Sequence, residues 1–369
     1  MNTLVTPQRL VSKSPLAGVW PAVIVVAVLG SRLAGRLWGN WAIGALGGLF
    51  ILLRGQFVER ALLLFLIFLS VFAGGEQIAL GLRGVLFISM FMVLARYVEI
   101  NPWLLLIAQL FGLAISMFND IGILFELFVF APSMLFIILS VEILRENVKK
   151  QNIVKRILAF VFTIIALAIP SLGGGSRSAL FVWSAVNIRR LRFIYIIALG
   201  GVVVAAIPVL VALKDLQVVQ KLGNSITEIA EPIDPETGGV SQRAIENLLF
   251  LDYIISASDV EVLFGSTRTI LLDGAPLGQD KDVQFVPHNQ IFGMIFQFGV
   301  LGFGFFLYYV YGLLKYFSAD PFCAFFLAML LLPGFLLKGG VYDGDLALLA
   351  ASLNWVRRRH LTRTALVLK

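Results

Sequence analysis

Apolar residues gather in long runs separated by short polar stretches, at about 15–31, 37–53, 61–75, 78–95, 102–118, 121–144, 153–170, 177–188, 193–213, 290–314, 319–337 and 341–355. A core strand uses only about 4–8 consecutive apolar residues, whereas a helix that crosses a bilayer needs about 20. The runs therefore predict helices, and together they predict an all-α polytopic transmembrane bundle of about 11–12 spans. The run at 177–188 is the shortest, so it either borrows flanking residues or re-enters. Arg9 and Lys13 precede the first run, which lacks a small-residue cleavage site and is expected to stay in the chain as a span.

The polar stretches set the orientation. Segments 145–156 (RENVKKQNIVKR), 189–192 (RRLR) and 357–359 (RRR) are basic, and twelve alternating spans bring all three to one side together with the amino terminus. By the positive-inside rule that side is the cytoplasm; it receives 19 of the 29 Lys and Arg and leaves 10 outside. One long segment remains outside, Lys214 to Pro287, 74 residues with 5 basic and 12 acidic side chains, a balance of 5 − 12 = −7. The whole chain carries +7, so the remainder sums to +14. Three parts are expected: helices one to nine in 1–213, a periplasmic acidic loop in 214–287, and the last helices with a short basic tail in 288–369. The loop holds apolar stretches such as IENLLFLDYII, which predict helices packed as a cap on the outer face.

Composition excludes other classes. The chain is 59% apolar and 14% charged with a mean hydropathy of +0.92, which no water-soluble domain of this length supports. A single cysteine, Cys323 in FCAFFLAML, excludes a disulfide framework or a cysteine-built metal site, and two histidines exclude a histidine cluster. The net charge does not point to nucleic acid, because the basic residues punctuate apolar segments and form no solvated face.

Candidate chemistry converges on the outer face. In GGGSRSAL, Gly173 to Leu180, a glycine turn delivers Ser176 and Arg177 to a helix start, where backbone amides and a guanidinium fork suit phosphate or pyrophosphate; a tight turn with an arginine reaching headgroups is the alternative. In VPHNQIFGMIFQFGVLGFG, Val286 to Gly304, His288 and Asn289 stand where the acidic loop meets the next span. His288 can act as a base toward a sugar hydroxyl, or it can cap the helix. Arg243 and Arg268 lie inside the acidic loop, as anion ligands or in surface ion pairs. His360 follows three arginines and reads as a tail residue. Glu76, Arg83, Lys338, Asp343 and Asp345 are expected at one depth near the outer boundary, completing a polar cavity or pairing with one another, and Glu126 lies inside a span. The pairs Asp280–Asp282 and Asp343–Asp345 have the spacing of a divalent-metal site, but sites of that kind serve nucleotide sugars, which are cytoplasmic, so no metal is expected.

The order of these segments resembles the O-antigen polymerase and O-antigen ligase family, membrane glycan transferases of the GT-C class. The resemblance covers roughly 155–315 and is carried by SRSAL and HNQIFGMIFQFGVLG. The chain departs from the family pattern at Ala244 after the loop arginine, at the lone Gly265 and at Gln297. The resemblance implies a metal-independent and cofactor-free transfer of glycan from undecaprenyl pyrophosphate at the periplasmic face of a bacterial inner membrane. His288 would deprotonate the acceptor hydroxyl, Arg177 and Arg243 would stabilise the departing pyrophosphate, and Ser176, Arg268 and Lys338 would help bind it. The partners so implied are the undecaprenyl-pyrophosphate-linked oligosaccharide, membrane lipids, a chain-length regulator and a flippase. Polymerisation of repeat units is the leading expectation, ligation of glycan to lipid A-core uses the same constellation, and a lipid-linked oligosaccharide transporter or flippase is the competing class.

Overall fold

A computed structural model describes residues 20–33, 38–73, 77–118, 122–146, 153–172, 250–266, 271–272, 283–284, 290–337 and 344–367. Seven helices come first: α1 (Trp20–Leu33), α2 (Trp38–Arg54), α3 (Phe57–Ala73), α4 (Gln77–Tyr97), α5 (Pro102–Phe118), α6 (Gly122–Glu146) and α7 (Ile153–Leu172). Residues 250–256 are helical and lead into the short α8 (Asp259–Phe264). A two-residue antiparallel ladder pairs β1 (Leu271–Leu272) with β2 (Val283–Gln284). The chain then forms α9 (Gln290–Phe317), α10 (Pro321–Leu337) and α11 (Gly344–Val367). Each predicted run that falls within the described residues is a helix; the runs at 177–188 and 193–213 fall outside them. Among the described residues two helices are long and apolar enough to cross a membrane, Ile78–Tyr97 and Gln290–Phe317.

Local sequence fixes the helix starts. Asn101 accepts from the Trp103 amide at 3.0 Å ahead of Pro102, and Asp320 accepts from the Phe322 amide at 3.1 Å ahead of Pro321. In both, a short polar cap takes an orphan donor and a proline supplies a pre-set φ at the first helical position. At the start of α3 the Glu59 carboxylate reaches back to the Gln56 amide at 2.8 Å.

Close packing of α2 on α4 depends on Gly44 and Gly47, three residues apart on one face of α2. A Cβ at Gly44 would lie 2.3 Å from the Leu86 carbonyl oxygen, and one at Gly47 would lie 3.3 Å from the Ser89 carbonyl oxygen. Both contacts advance in the same direction, so the two helices run parallel, with α3 antiparallel between them in sequence. Small residues at such a crossing let backbones approach as larger side chains cannot. The outward faces are apolar instead of polar: Leu64 and Phe68 on α3, Ile107 and Phe111 on α5, and Ile157 and Phe160 on α7 are all exposed.

One end of the bundle is ionic. Glu59 is 1% exposed and accepts from Arg96 at 3.0 Å and from the Tyr97 hydroxyl at 2.5 Å. Asn354 of α11 donates to the Arg96 and Val98 carbonyls at 3.2 and 3.1 Å, and so satisfies carbonyls that the end of α4 leaves without a helical partner. The Tyr316 hydroxyl donates to Asn354 at 3.2 Å, and Arg357 stacks 3.8 Å from the Tyr316 ring centre. Arg358 pairs with Glu99 at 2.6 Å and Arg359 with Glu142 at 3.7 Å. These contacts bring the ends of α4, α6 and α9 and the start of α3 to one level, as an up-and-down bundle requires. Arg54, Arg60, Lys155, Arg156 and Lys315 occupy helix ends on the same side, which makes it the basic end.

Three substitutions test this packing. Gly44→Ala should destabilise the bundle by about 1–3 kcal/mol through a clash with backbone that cannot rotate away, whereas Gly304→Ala, where a Cβ meets nothing within 4 Å, should be neutral or mildly stabilising. Glu59→Ala leaves the Arg96 guanidinium buried without its carboxylate and should cost about 3–5 kcal/mol. Thermal unfolding of the detergent-solubilised protein measures all three, and equal midpoints for the two glycine variants would contradict the α2–α4 contact.

Candidate functional site

The end opposite the ionic belt is organised by a break in α9. Gly299 adopts φ 66 and ψ 179, a conformation open to glycine and strained for other residues, so the ladder of helical hydrogen bonds stops there. The break divides α9 into 290–298 and 300–317, about 13 Å and 27 Å long at 1.5 Å per residue. The second piece runs beside α3, with Gly302 against Leu66 and Leu69 and Phe305 edge-to-face on Phe65 at 5.9 Å. The sequence predicted one uninterrupted span at 290–314. The structure interrupts it at Gly299, where the Leu263 carbonyl approaches so closely that only a residue without a Cβ fits.

The carbonyl exposed by the break has a partner from the acidic loop. The Ser266 amide donates to the Phe296 carbonyl at 2.7 Å. The approach is close on both sides: a Cβ at Gly265 would lie 2.4 Å from the Gln297 carbonyl oxygen, and one at Gly299 would lie 2.2 Å from the Leu263 carbonyl oxygen. Residues 250–264 follow the same docking. Phe250 stacks on Phe292 at 4.0 Å, Tyr253 meets Phe296 edge-on at 5.0 Å, and these rings form an apolar cluster separate from the main core. Ser258 and Glu261 make a capping box at the start of α8, and the Tyr253 hydroxyl donates to the Glu261 carbonyl at 3.1 Å. Phe264 touches Phe72 near the end of α3, centres 5.7 Å apart. This part of the loop is therefore a helical layer seated on the first piece of α9, at the level where α3 ends.

Ser176, Arg177, Arg243, Arg268, His288 and Lys338, the residues singled out for chemistry, lie outside the described residues, as do Asn289, Glu76, Asp343 and the 280–282 triplet. The helix containing Glu126 is described but not that side chain. What the structure gives is the set of elements that adjoin them. Ser176 and Arg177 follow the end of α7, His288 precedes α9 by two residues, Lys338 follows α10 directly, and Arg268 follows the docked Ser266 by two. α7 runs antiparallel to α6, given their short connection and the Phe136–Phe162 contact, and α10 returns from the ionic end where Pro321 starts it. All of these elements therefore terminate on the end of the bundle opposite the ionic belt.

Two residues from the sequence reading are described in full, and one of them, Asp345, corrects it. Arg83 lies over the Trp41 ring at 5.4 Å, on the exposed surface of α4. Asp345 is 1% exposed and accepts from Gln109 of α5 at 3.2 Å. It was expected at the outer boundary. α11 begins only at Gly344, and its second half extends through the ionic belt, so Asp345 lies nine residues, about 13 Å, from Asn354 and hence near mid-depth. Asn40 of α2 borders Gly344, and the Asn40 Oδ1 and Gln109 Oε1 atoms are buried and unpartnered among the described residues. A polar pit of three oxygen-bearing side chains, Asn40, Gln109 and Asp345, thus lies in the bundle interior.

Among the described residues no group of three or more His, Cys, Asp or Glu is arranged to hold a metal. No protein-family model matches the chain, and comparison with curated proteins and with solved structures gives no match. Sequence reasoning passed over Glu59, Arg96, Gln109 and Asn354. Their signal was available for the ions, since VERA and LARY place charges inside apolar helices, but an amide such as Gln109 carries no mark of which neighbour it will face.

Docking at the α9 break can be checked directly. Gly299→Ala places a methyl into the Leu263 carbonyl and forces a strained φ; it should cost about 1–3 kcal/mol and raise hydrogen exchange selectively over 250–266. Unchanged exchange in that segment would show that the layer does not rest on this contact.

Proposed function

We propose that this chain is a membrane-embedded glycan polymerase that extends a polysaccharide from undecaprenyl-pyrophosphate-linked repeat units, with its active site on the end opposite the basic belt. The observation that carries the reading is the shared destination of the helix ends adjoining Ser176, Arg177, Arg268, His288 and Lys338 beside the layer docked at Gly299. Arg243 precedes that layer by seven residues. Several cations and one imidazole gathered at that end would match what a pyrophosphate leaving group needs: charge stabilisation as the bond breaks, and a base for the attacking hydroxyl. Apolar outward faces on α3, α5 and α7, two helices of membrane-crossing length and the basic opposite end support an inner-membrane location with that vestibule in the periplasm.

In this mechanism the acceptor hydroxyl loses its proton to His288 and attacks the anomeric carbon. The bond from that carbon to the pyrophosphate oxygen breaks, and undecaprenyl pyrophosphate departs between Arg177 and Arg243, with Ser176, Arg268 and Lys338 as further ligands of its oxygens. The donor bond is already activated, so neither a metal nor a nucleotide is required. Transfer of finished glycan to lipid A-core would use the same groups.

Asp345 favours a second reading. A buried carboxylate near mid-depth with amide neighbours is the kind of group that transporters and flippases place on a pathway, and it belongs to none of the transferase roles above.

Purified protein supplied with lipid-linked repeat units separates these readings. Wild-type protein should make polymer, and His288→Ala and Arg177→Ala should each lower the rate by at least about 100-fold with little change in the thermal midpoint. Polymerisation that persists in both variants would remove the catalytic assignment. Absence of polymer, together with Asp345-dependent translocation of the same lipid in vesicles, would establish transport instead.

A further inference from the structure

A cavity of about 290 Å³ opens at the basic end, lined by Glu99, Trp355, Arg358, Arg359 and Thr362. Four of these residues belong to α11 at spacings of three, four and seven from Trp355, so they share one face of that helix, and Glu99 faces them from the segment after α4. Both guanidinium groups keep partial access to solvent, with side-chain exposures of 43% for Arg358 and 39% for Arg359. Arg358 makes one described hydrogen bond, to Glu99, out of the five N–H donors of a guanidinium. Arg359 lies 5.0 Å over the Trp355 ring and pairs with Glu142 at 3.7 Å. An indole beside two arginines at the end of an apolar bundle combines an apolar wall with oxyanion donors, the combination found where membrane meets water.

We infer that this cavity is a binding site for a phosphate-bearing anion, held between Arg358 and Arg359 and flanked by the Trp355 ring. At this depth the chemistry fits the headgroup of an anionic phospholipid, whose upper chain would lie along the indole, and the same donors would accept soluble phosphate. Glu99 competes for Arg358, so the site binds more tightly when that carboxylate is neutralised. The site is remote from the transferase vestibule, and its occupancy is read without any glycan substrate.

Full-length protein, delipidated in neutral detergent, is titrated with phosphatidylglycerol, with phosphatidylcholine and with inorganic phosphate, and adducts are counted by native mass spectrometry. Phosphatidylglycerol should bind about tenfold more tightly than phosphatidylcholine, the Arg358→Gln/Arg359→Gln variant should lose about tenfold or more of that affinity, and Glu99→Gln should gain several-fold. Failure of inorganic phosphate to displace phosphatidylglycerol identifies the lipid as the source, whereas displacement at equal affinity identifies soluble phosphate. Wild-type affinity in the double variant overturns the site. Should the double variant not fold, Glu99→Gln decides alone, and an unchanged or weakened affinity there overturns it equally.

Discussion

A helix buried in an apolar medium has nowhere to hide an unmade backbone hydrogen bond, and the break at Gly299 is where this chain meets that constraint most sharply. The Phe296 carbonyl, deprived of its helical partner, accepts from Ser266, and with the ring contacts beside it that bond seats residues 250–266 on the bundle. The approach works only because glycines face each other across it, Gly265 against the Gln297 carbonyl and Gly299 against the Leu263 carbonyl. Loop docking and helix interruption are therefore one event. The break needs the loop to satisfy its carbonyl, and the loop needs the break to come close enough.

The two ends of the bundle solve different problems. At the basic end the charges are partnered: Glu59 takes three donors, Asn354 caps α4, and Arg357 lies flat on Tyr316. Such contacts fix helix level and tilt, which sets where the far ends finish. At the opposite end the described contacts around the α9 break are packed rings, backbone bonds and the Ser258–Glu261 cap, and the residues named for chemistry lie outside the described residues. In the proposed transferase, this ion-paired base would hold in place the helices whose far ends adjoin the proposed site.

Much of the helical layout was legible because apolar runs of helix length leave few alternatives, and the end of α5 at Phe118 and the start of α7 at Ile153 fall where the pattern changes. The helical character of 250–256 was likewise readable from IENLLFLDYII. The break in α9 was not. FQFGVLGFG holds three glycines of equal apparent weight, and only the approach of Leu263 distinguishes Gly299 from Gly302 and Gly304. The depth of Asp345 was misjudged for a related reason. Hydropathy locates where a helix becomes apolar, but depth depends on where its far end is pinned, and Asn354 pins α11 to the end of α4 through contacts between residues 256 and 258 positions apart.

That depth bears on the choice between transfer and transport. A carboxylate near mid-bundle costs several kcal/mol to bury as an ion unless it is bonded, and Gln109 supplies one bond. Both proposed readings take a lipid-linked substrate whose polyprenyl chain would lie among the spans while its pyrophosphate rests above them. What divides the readings is whether the head ever passes the level of Asp345. In a transferase it does not, and the pit then serves as the floor of the site; in a transporter the pit is a station on the route.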